Sequence, residues 1–310
     1  KGFEELDYNW KFGHAPVPEP WSKNSILFAS GSDQALRVAD TTDLSFGDST
    51  NDTPFSVSFW MNWNSAVSAD QYFFSKGDGA LNAEYEAYFD HSTSRIVVEL
   101  QDSDISKRVW AEFPFVASTY LGVWTHIAIT YSGVGGSSAK NGIKLYVNGT
   151  EVAAAVTNGI GYTAMHNTSQ FFRISSAQQS AASSVDRAFD GYLDDFAVWK
   201  GQALTSAQVT SVYNKGCPTN NLLLSGSGDI VAYWRMGDGP DSQQSSYGTV
   251  YDFTGNGHSA TALNSPTLAQ GISPGDSSCP SFIDFNKNCL WWSQRAERGA
   301  VEFKSALSPN

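Results

Sequence analysis

Apolar and polar positions alternate with a period of two along much of the chain, and the clearest stretch runs from Trp124 to Val152. Trp124, Ile127, Ile129 and Tyr131 mix aromatic and β-branched residues at strand spacing, and the Gly/Ser-rich run 133–138 then interrupts them. Ile143, Leu145 and Val147 resume the alternation with Lys144 and Tyr146 between them, the pattern of a half-buried antiparallel strand. Asn148-Gly149 stands before Glu151-Val152. A type I′ hairpin turn needs positive φ at both central residues, and Asn-Gly supplies it at little steric cost. A hairpin is therefore expected here.

Further strand-like runs fall at 25–29, 34–38, 55–63, 71–75, 85–90, 94–101, 107–113, 123–131, 143–147, 169–174 and 187–199, a spacing suited to an antiparallel sandwich. Helical periodicity is scarce. The best stretch is Thr205 to Tyr213, with Thr205 placed to cap it, Val209, Val212 and Tyr213 on one face, and Gly216 ending it. Residues 1–24 alternate Pro16, Pro18 and Pro20 among aromatics, which predicts an extended arm whose Trp10, Phe12 and Trp21 dock on a neighbouring surface. Beyond residue 215, Ile230 to Met236 reads as a strand and Asp252 to His258 as a tight Gly/Asn turn. An exposed Tyr233/Trp234 strand would invite aggregation, so this strand is expected to complete the sandwich and not to begin a second module. The segment 287–303, with Leu290, Trp291 and Trp292, reads as a helical, adhesive tail.

Four motifs in order resemble the laminin G-like branch of the concanavalin A-like sandwiches. They are Ile26-Leu27-Phe28 with Ser32-Asp33, the run Pro54 to Trp60, Trp124-x-His126-x-Ala128-x-Thr130-Tyr131 with Leu145-Tyr146-Val147-Asn148-Gly149, and Gly191 to Trp199 followed by Ala203-Leu204-Thr205. The resemblance covers residues 25–215 and implies an all-β, antiparallel jelly-roll sandwich, flanked by an arm (1–24) and a C-terminal extension (216–310). Tyr233-Trp234-Arg235-Met236-Gly237-Asp238 and the stretch Cys279 to Asn286 are similar to laminin G-like virion proteins of marine tailed bacteriophages. That similarity implies a virion or other extracellular setting, with the arm and tail as contacts to further copies or other subunits.

Composition narrows the partners. Nineteen basic against 31 acidic residues give a net charge of −12, whose long-range field disfavours nucleic acid phosphates and anionic membrane surfaces. No apolar run approaches a membrane-spanning length. The 310 residues begin at Lys1 with no leader-like segment, so the chain reads as processed or as a piece of something longer. Cys217, Cys279 and Cys289 leave three arrangements open: Cys279 with Cys289, Cys217 with either, or three free thiols.

Candidate chemistry is of three kinds. The resemblance places a structural calcium ion between an early loop and the closing strand, which here means Asp33 and Asp194, with Asp195 alternating away from it. The competing reading has Asp33 capping a turn and Asp194 facing solvent. Glycan binding draws on aromatics for stacking, and Tyr72, Tyr85, Tyr88 and Trp110, together with Trp199, are the candidates, although most aromatics in such a sandwich are core. Glycoside hydrolysis needs paired carboxylates. In Glu84-Tyr85-Glu86-Ala87-Tyr88-Phe89-Asp90 the acids share a parity and hence one face, but the arrangement lacks the carboxylate spacing of the sandwich glucanases. The sequence therefore favours a non-enzymatic structural or adhesive module that binds surface glycans and is stapled by calcium. The alternatives are a polysaccharide-degrading enzyme using Glu84 and Glu86, and a decoration protein with no ligand. The five histidines form no triad pattern, the cysteines lack zinc spacing, and no phosphate-binding glycine loop joins a strand to a helix. The triplets at Asn51, Asn148 and Asn167 are glycosylation acceptors in a eukaryotic secretory setting.

Overall fold

A computed structural model describes residues 22–64, 69–77, 83–102, 106–177, 187–218, 230–238, 248–271 and 273–274. The arm up to residue 21, the tail with its tryptophans, and Cys279 and Cys289 lie outside the described residues.

The strands are β1 (Asn24–Phe28), β2 (Ala35–Val38), β3 (Phe55–Trp63), β4 (Gln71–Gly77), β5 (Ala83–Asp90) and β6 (Arg95–Gln101). They continue with β7 (Arg108–Pro114), β8 (Thr125–Tyr131), β9 (Ile143–Val147), β10 (Thr150–Val152), β11 (Val156–Ile160) and β12 (Phe172–Ile174). The last are β13 (Gly191–Lys200), β14 (Ile230–Trp234), β15 (Thr249–Val250), β16 (Ala260–Leu263) and β17 (Thr267–Gln270), with helix α1 (Ser206–Tyr213) after β13. Among the described residues they form two antiparallel sheets. One has eight strands in the order β10-β9-β8-β3-β13-β1-β17 with β14 also on β13, and the other has nine in the order β11-β7-β6-β5-β4-β12-β2-β16-β15.

The two sheets face each other across an aromatic core. Phe59 stacks on Phe196 at 5.1 Å and Phe172 on Trp234 at 5.9 Å. Strands β3 and β13 are buried on both faces. The second face of β8, β9 and β13 forms a smaller apolar cluster in which Ala128, Tyr146, Ala197 and Trp199 meet Leu204, Val209 and Val212 around α1, together with Ile230 and Tyr233 of β14. Trp199 is therefore core. His126 is core as well, sealed beside Trp60 at 5.1 Å with Nε2 2.8 Å from Ser58 Oγ, and burial lowers its pKa to about 3.

The expected hairpin is present. Asn148 (φ 49°) and Gly149 (φ 76°) hold the two left-handed positions between β9 and β10. A Cβ on Gly149 would come within 2.8 Å of the Tyr213 ring. Thr205 caps α1 in a reciprocal box with Gln208, but the helix ends on Asn214 in the left-handed region, two residues before Gly216. The segment beyond residue 215 is built into both sheets: β14 pairs with β13, β17 with β1, and β16 with β2. Asp252 organises the Gly/Asn turn by accepting from the backbone N–H groups of Tyr233, Thr254 and His258. Cys217 is disulfide-bonded.

β1 and β14 lie end to end along the same side of β13, β1 on Gly191 to Leu193 and β14 on Phe196 to Trp199. Between them β13 bulges against β3: Asp194 pairs with Trp60 and Ala197 with Ser58, so two residues of β13 oppose one of β3. Asp195 takes the left-handed conformation this requires (φ 45°).

Candidate functional site

The outer face of the nine-stranded sheet, across β4 to β7, gathers a cluster of aromatic and charged side chains. Register brings them together. One row runs Tyr72, Tyr88, Val97, Glu112, and the next runs Ser75, Glu86, Glu99, Trp110, Asn158. Alternation along β5 puts Glu86 and Tyr88 outward and sends Tyr85, Ala87 and Phe89 into the core. Tyr85 is thus not a stacking residue: it is buried, and its hydroxyl donates to the Leu44 carbonyl at 2.7 Å.

Tyr72 and Tyr88 stack with ring centroids 4.7 Å apart and planes 15° from parallel. Arg187 lies over the Tyr72 ring at 5.9 Å and donates to its hydroxyl at 3.4 Å. Across the face, Arg108 Nη1 donates to both oxygens of Glu99 at 3.1 Å, and its guanidinium sits 5.1 Å from the Trp110 ring centroid. Gln101 donates to Glu99 at 2.7 Å, the Trp110 indole N–H donates to Glu112 at 3.0 Å, and Arg95 pairs with Glu112 at 2.5 Å. These bonds fix the polar heads and leave Tyr88, Glu86, Arg108 and Trp110 half-buried at the surface.

Glu86 and Glu99 face each other directly across β5 and β6. Burial raises the Glu86 carboxyl, Glu99 raises it further, and Arg187, Arg108 and the Tyr72 hydroxyl oppose them; its pKa lies at about 8. Burial also raises Glu99, against the pull of Arg108 and Gln101. Around neutral pH the half-buried Glu86 carboxyl, raised to about 8, offers a hydrogen-bond donor and an acceptor beside the Tyr88 ring. That combination suits a polyhydroxylated ligand, whose C–H faces stack on rings while its hydroxyls bond to charged groups.

Glu84 does not join Glu86. A bulge pairs Lys76 with Tyr85 and Gly77 with Ala83, leaving Glu84 between them. Its carboxyl is fully buried against Lys76 at 2.6 Å and the Thr168 backbone N–H at 2.8 Å. The carboxylate pair expected of a glucanase-like strand is thus broken, because strict alternation fails at the bulge.

Asp33 and Asp194 are also kept apart. Asp33 is exposed, in the left-handed region at the end of the turn Ser30–Ser32, beyond the Phe28 end of β1. Asp194 is buried near the other end of β1, where it accepts from the Ser22 hydroxyl and from the Asp195 N–H. The two carboxylates do not form one calcium centre. Asp195 does not face away either, because the bulge puts it in the same buried network. It accepts from the Tyr233 hydroxyl at 2.6 Å, and Asp238 and Arg235 complete the group. Asp238 further accepts from the Lys23 N–H and from Asn24 Nδ2, both at 2.9 Å, tying the start of β1 to the end of β14. Among the described residues no group of three or more His, Cys, Asp or Glu is arranged to hold a metal ion.

Two antiparallel sheets packed face to face around one core are the architecture of a concanavalin A-like sandwich. Residues 30–210 match the family Laminin_G_3, the concanavalin A-like lectin/glucanases superfamily, and the chain belongs to it. Similar solved structures include a native heptameric SAP-like pentraxin from Limulus polyphemus, at 16% identity over 77% of this chain and 96% of that one, with a TM-score of 0.41. Another is the CBM40 of the Ruminococcus gnavus IT-sialidase bound to α2,3 sialyllactose, at 14% identity over 62% and 97%, with a TM-score of 0.43. A third is the binding domain of botulinum neurotoxin serotype G, at 16% identity over 56% and 39%, with a TM-score of 0.38. No curated protein matches the chain.

Proposed function

We propose that this chain is a non-catalytic carbohydrate-recognition module of a virion or other extracellular assembly, and that it binds glycans on the outer face of β4 to β7. The observation that carries this reading is the set of half-buried side chains Tyr88, Glu86, Arg108 and Trp110, held in place by the buried Tyr72 ring and Glu99 carboxylate beneath them. Core residues would present no charged heads, and a purely solvated strand face would not order its rings against one another. Glu99 is buried with both oxygens engaged by Arg108, which leaves it poorly suited to nucleophilic attack. The disulfide at Cys217 agrees with an oxidising, extracellular setting. The resemblance to phage laminin G-like proteins supports the virion context, in which the arm and the tail would contact neighbouring subunits. Calcium is not part of this proposal, since Asp33 and Asp194 are apart.

A glycan array probed with the intact protein tests the reading. Hits that remain chemically intact after prolonged incubation are expected. Release of shorter products, lost in Glu86→Gln, would make the face a hydrolase instead. A blank array from folded protein would leave a structural decoration protein.

A further inference from the structure

Lys76 is a fully buried lysine whose three donors are all spoken for. Its ammonium lies 2.6 Å from Glu84 Oε1, 2.8 Å from Asp40 Oδ1 and 3.1 Å from the Thr168 carbonyl. The side chain of Asp40 is 37% exposed. Asp40 stands two residues beyond β2, and β12 runs between β2 and β4, with Val38, Phe172 and Lys76 in one register row. The Lys76–Asp40 contact therefore spans strands that are not neighbours.

Glu84 is arranged unevenly. Its Oε1 receives Lys76, the Thr168 N–H at 2.8 Å, the Thr168 hydroxyl at 2.9 Å and Ser45 Oγ at 3.3 Å. Its Oε2 is buried and has no hydrogen-bond partner among the described residues. Burial raises the Glu84 pKa against the opposing pull of Lys76. An amine held against a carboxyl group, with a second, desolvated carboxyl touching the amine, has the parts that direct amide formation needs.

We propose that Lys76 and Asp40 are a self-processing pair joined by an isopeptide bond, with Glu84 as the proton carrier. Glu84 takes a proton from the Lys76 ammonium, and the neutral Nζ attacks Asp40 Cγ. Glu84 passes that proton, and then a second taken from the same nitrogen in the adduct, to the departing oxygen of Asp40, which leaves as water. One C–N bond forms and one C–O bond breaks. The ammonium and the carboxylate together become an amide and one water, with no oxidant, reductant or net proton required. Holding the reactants in contact removes the entropic cost of their encounter. Burial of Lys76 and Glu84 weakens the solvation that otherwise favours the separated ions. The water leaves past the exposed side of Asp40. The bond would lock the segment after β2 to β4 across β12, giving a surface module resistance to pulling.

The test is the intact mass of the reduced, denatured full chain, followed by peptide mapping. Wild type is expected one water lighter than its sequence, with Lys76 and Asp40 recovered on a single branched peptide. Asp40→Ala, at a partly exposed position that should fold, is expected at its full sequence mass. Asp40→Asn is expected to close with loss of ammonia in place of water. Glu84→Gln keeps the side-chain volume and is expected to stay open. Folded wild type at full sequence mass, with the two residues on separate peptides, overturns the bond. Closure that persists in Glu84→Gln overturns the role of Glu84.

Discussion

Asp195, buried, and Glu86, half-buried, show how single desolvated carboxyls set the response of this protein to pH. Burial raises Asp195 to about 6, with Arg235 and the Tyr233 hydroxyl opposing and Asp238 adding to the shift. Burial and Glu99 raise Glu86 to about 8. Asp194 and Asp238 are raised as well, both chiefly by burial. Each group binds its proton more tightly folded than unfolded, so the native state carries the extra protons between roughly pH 4 and 8. Stability from these groups is full below the ordinary carboxylate range and is lost as pH rises through that window. The melting temperature is accordingly expected to be higher at about pH 5 than at about pH 8. Asp195→Asn should flatten the acidic part of the curve and Glu86→Gln the part near neutrality. A melting temperature that climbs from pH 5 to pH 8 would contradict this assignment. Part of this was visible in the sequence: parity along β5 puts Glu86 and Asp90 on one face, but Tyr85, a stacking candidate by composition, turns into the core. The bulges that withdraw Glu84 and bring Asp195 beside Asp194 were not, because one extra residue in a strand leaves no mark in composition.

Strand β14 shows that the segment after the family match is part of the sandwich. Trp234 is fully buried, stacks on Phe172 and donates its indole N–H to the His258 carbonyl at 2.8 Å. Trp234→Ala should destabilise the protein by about 3–5 kcal/mol in denaturant unfolding, from lost burial and the cavity left behind. By contrast, Thr205→Ala, which removes the exposed cap of α1, should cost about 1 kcal/mol. Equal effects from the two would contradict the placement of β14 in the core. The elements with strong local signals were legible: the Asn148-Gly149 hairpin, the capped helix, and the alternating central strands. β11 was not, because Asn158-Gly159 reads as a turn and its residues are mostly exposed. The turn that carries the chain from β16 in one sheet to β17 in the other escaped too, because its left-handed positions are filled by Asn264 and Ser265 with no glycine between the strands. Its place in the fold is set by pairing with β2 and β1, more than 200 residues earlier in the chain.

At the scale of the whole molecule, a −12 chain with a disulfide at Cys217 presents a two-sheet sandwich whose outer faces differ in kind. The face beneath α1 is apolar and closed, whereas the face across β4 to β7 is ordered, charged and aromatic. Among the described residues no helix is long and apolar enough to cross a membrane. Family membership was legible from four motifs in order. The proposed binding face was not, because it exists only once register sets Glu99 beside both Glu86 and Trp110. The central claim is that this face binds glycan, and calorimetric titration with the best glycan from an array tests it most directly. Trp110→Ala and Tyr88→Ala are each expected to weaken binding by about tenfold or more, roughly 1.4 kcal/mol, while leaving the melting temperature within a few degrees of wild type. Unchanged affinity in both variants would contradict the assignment of the face.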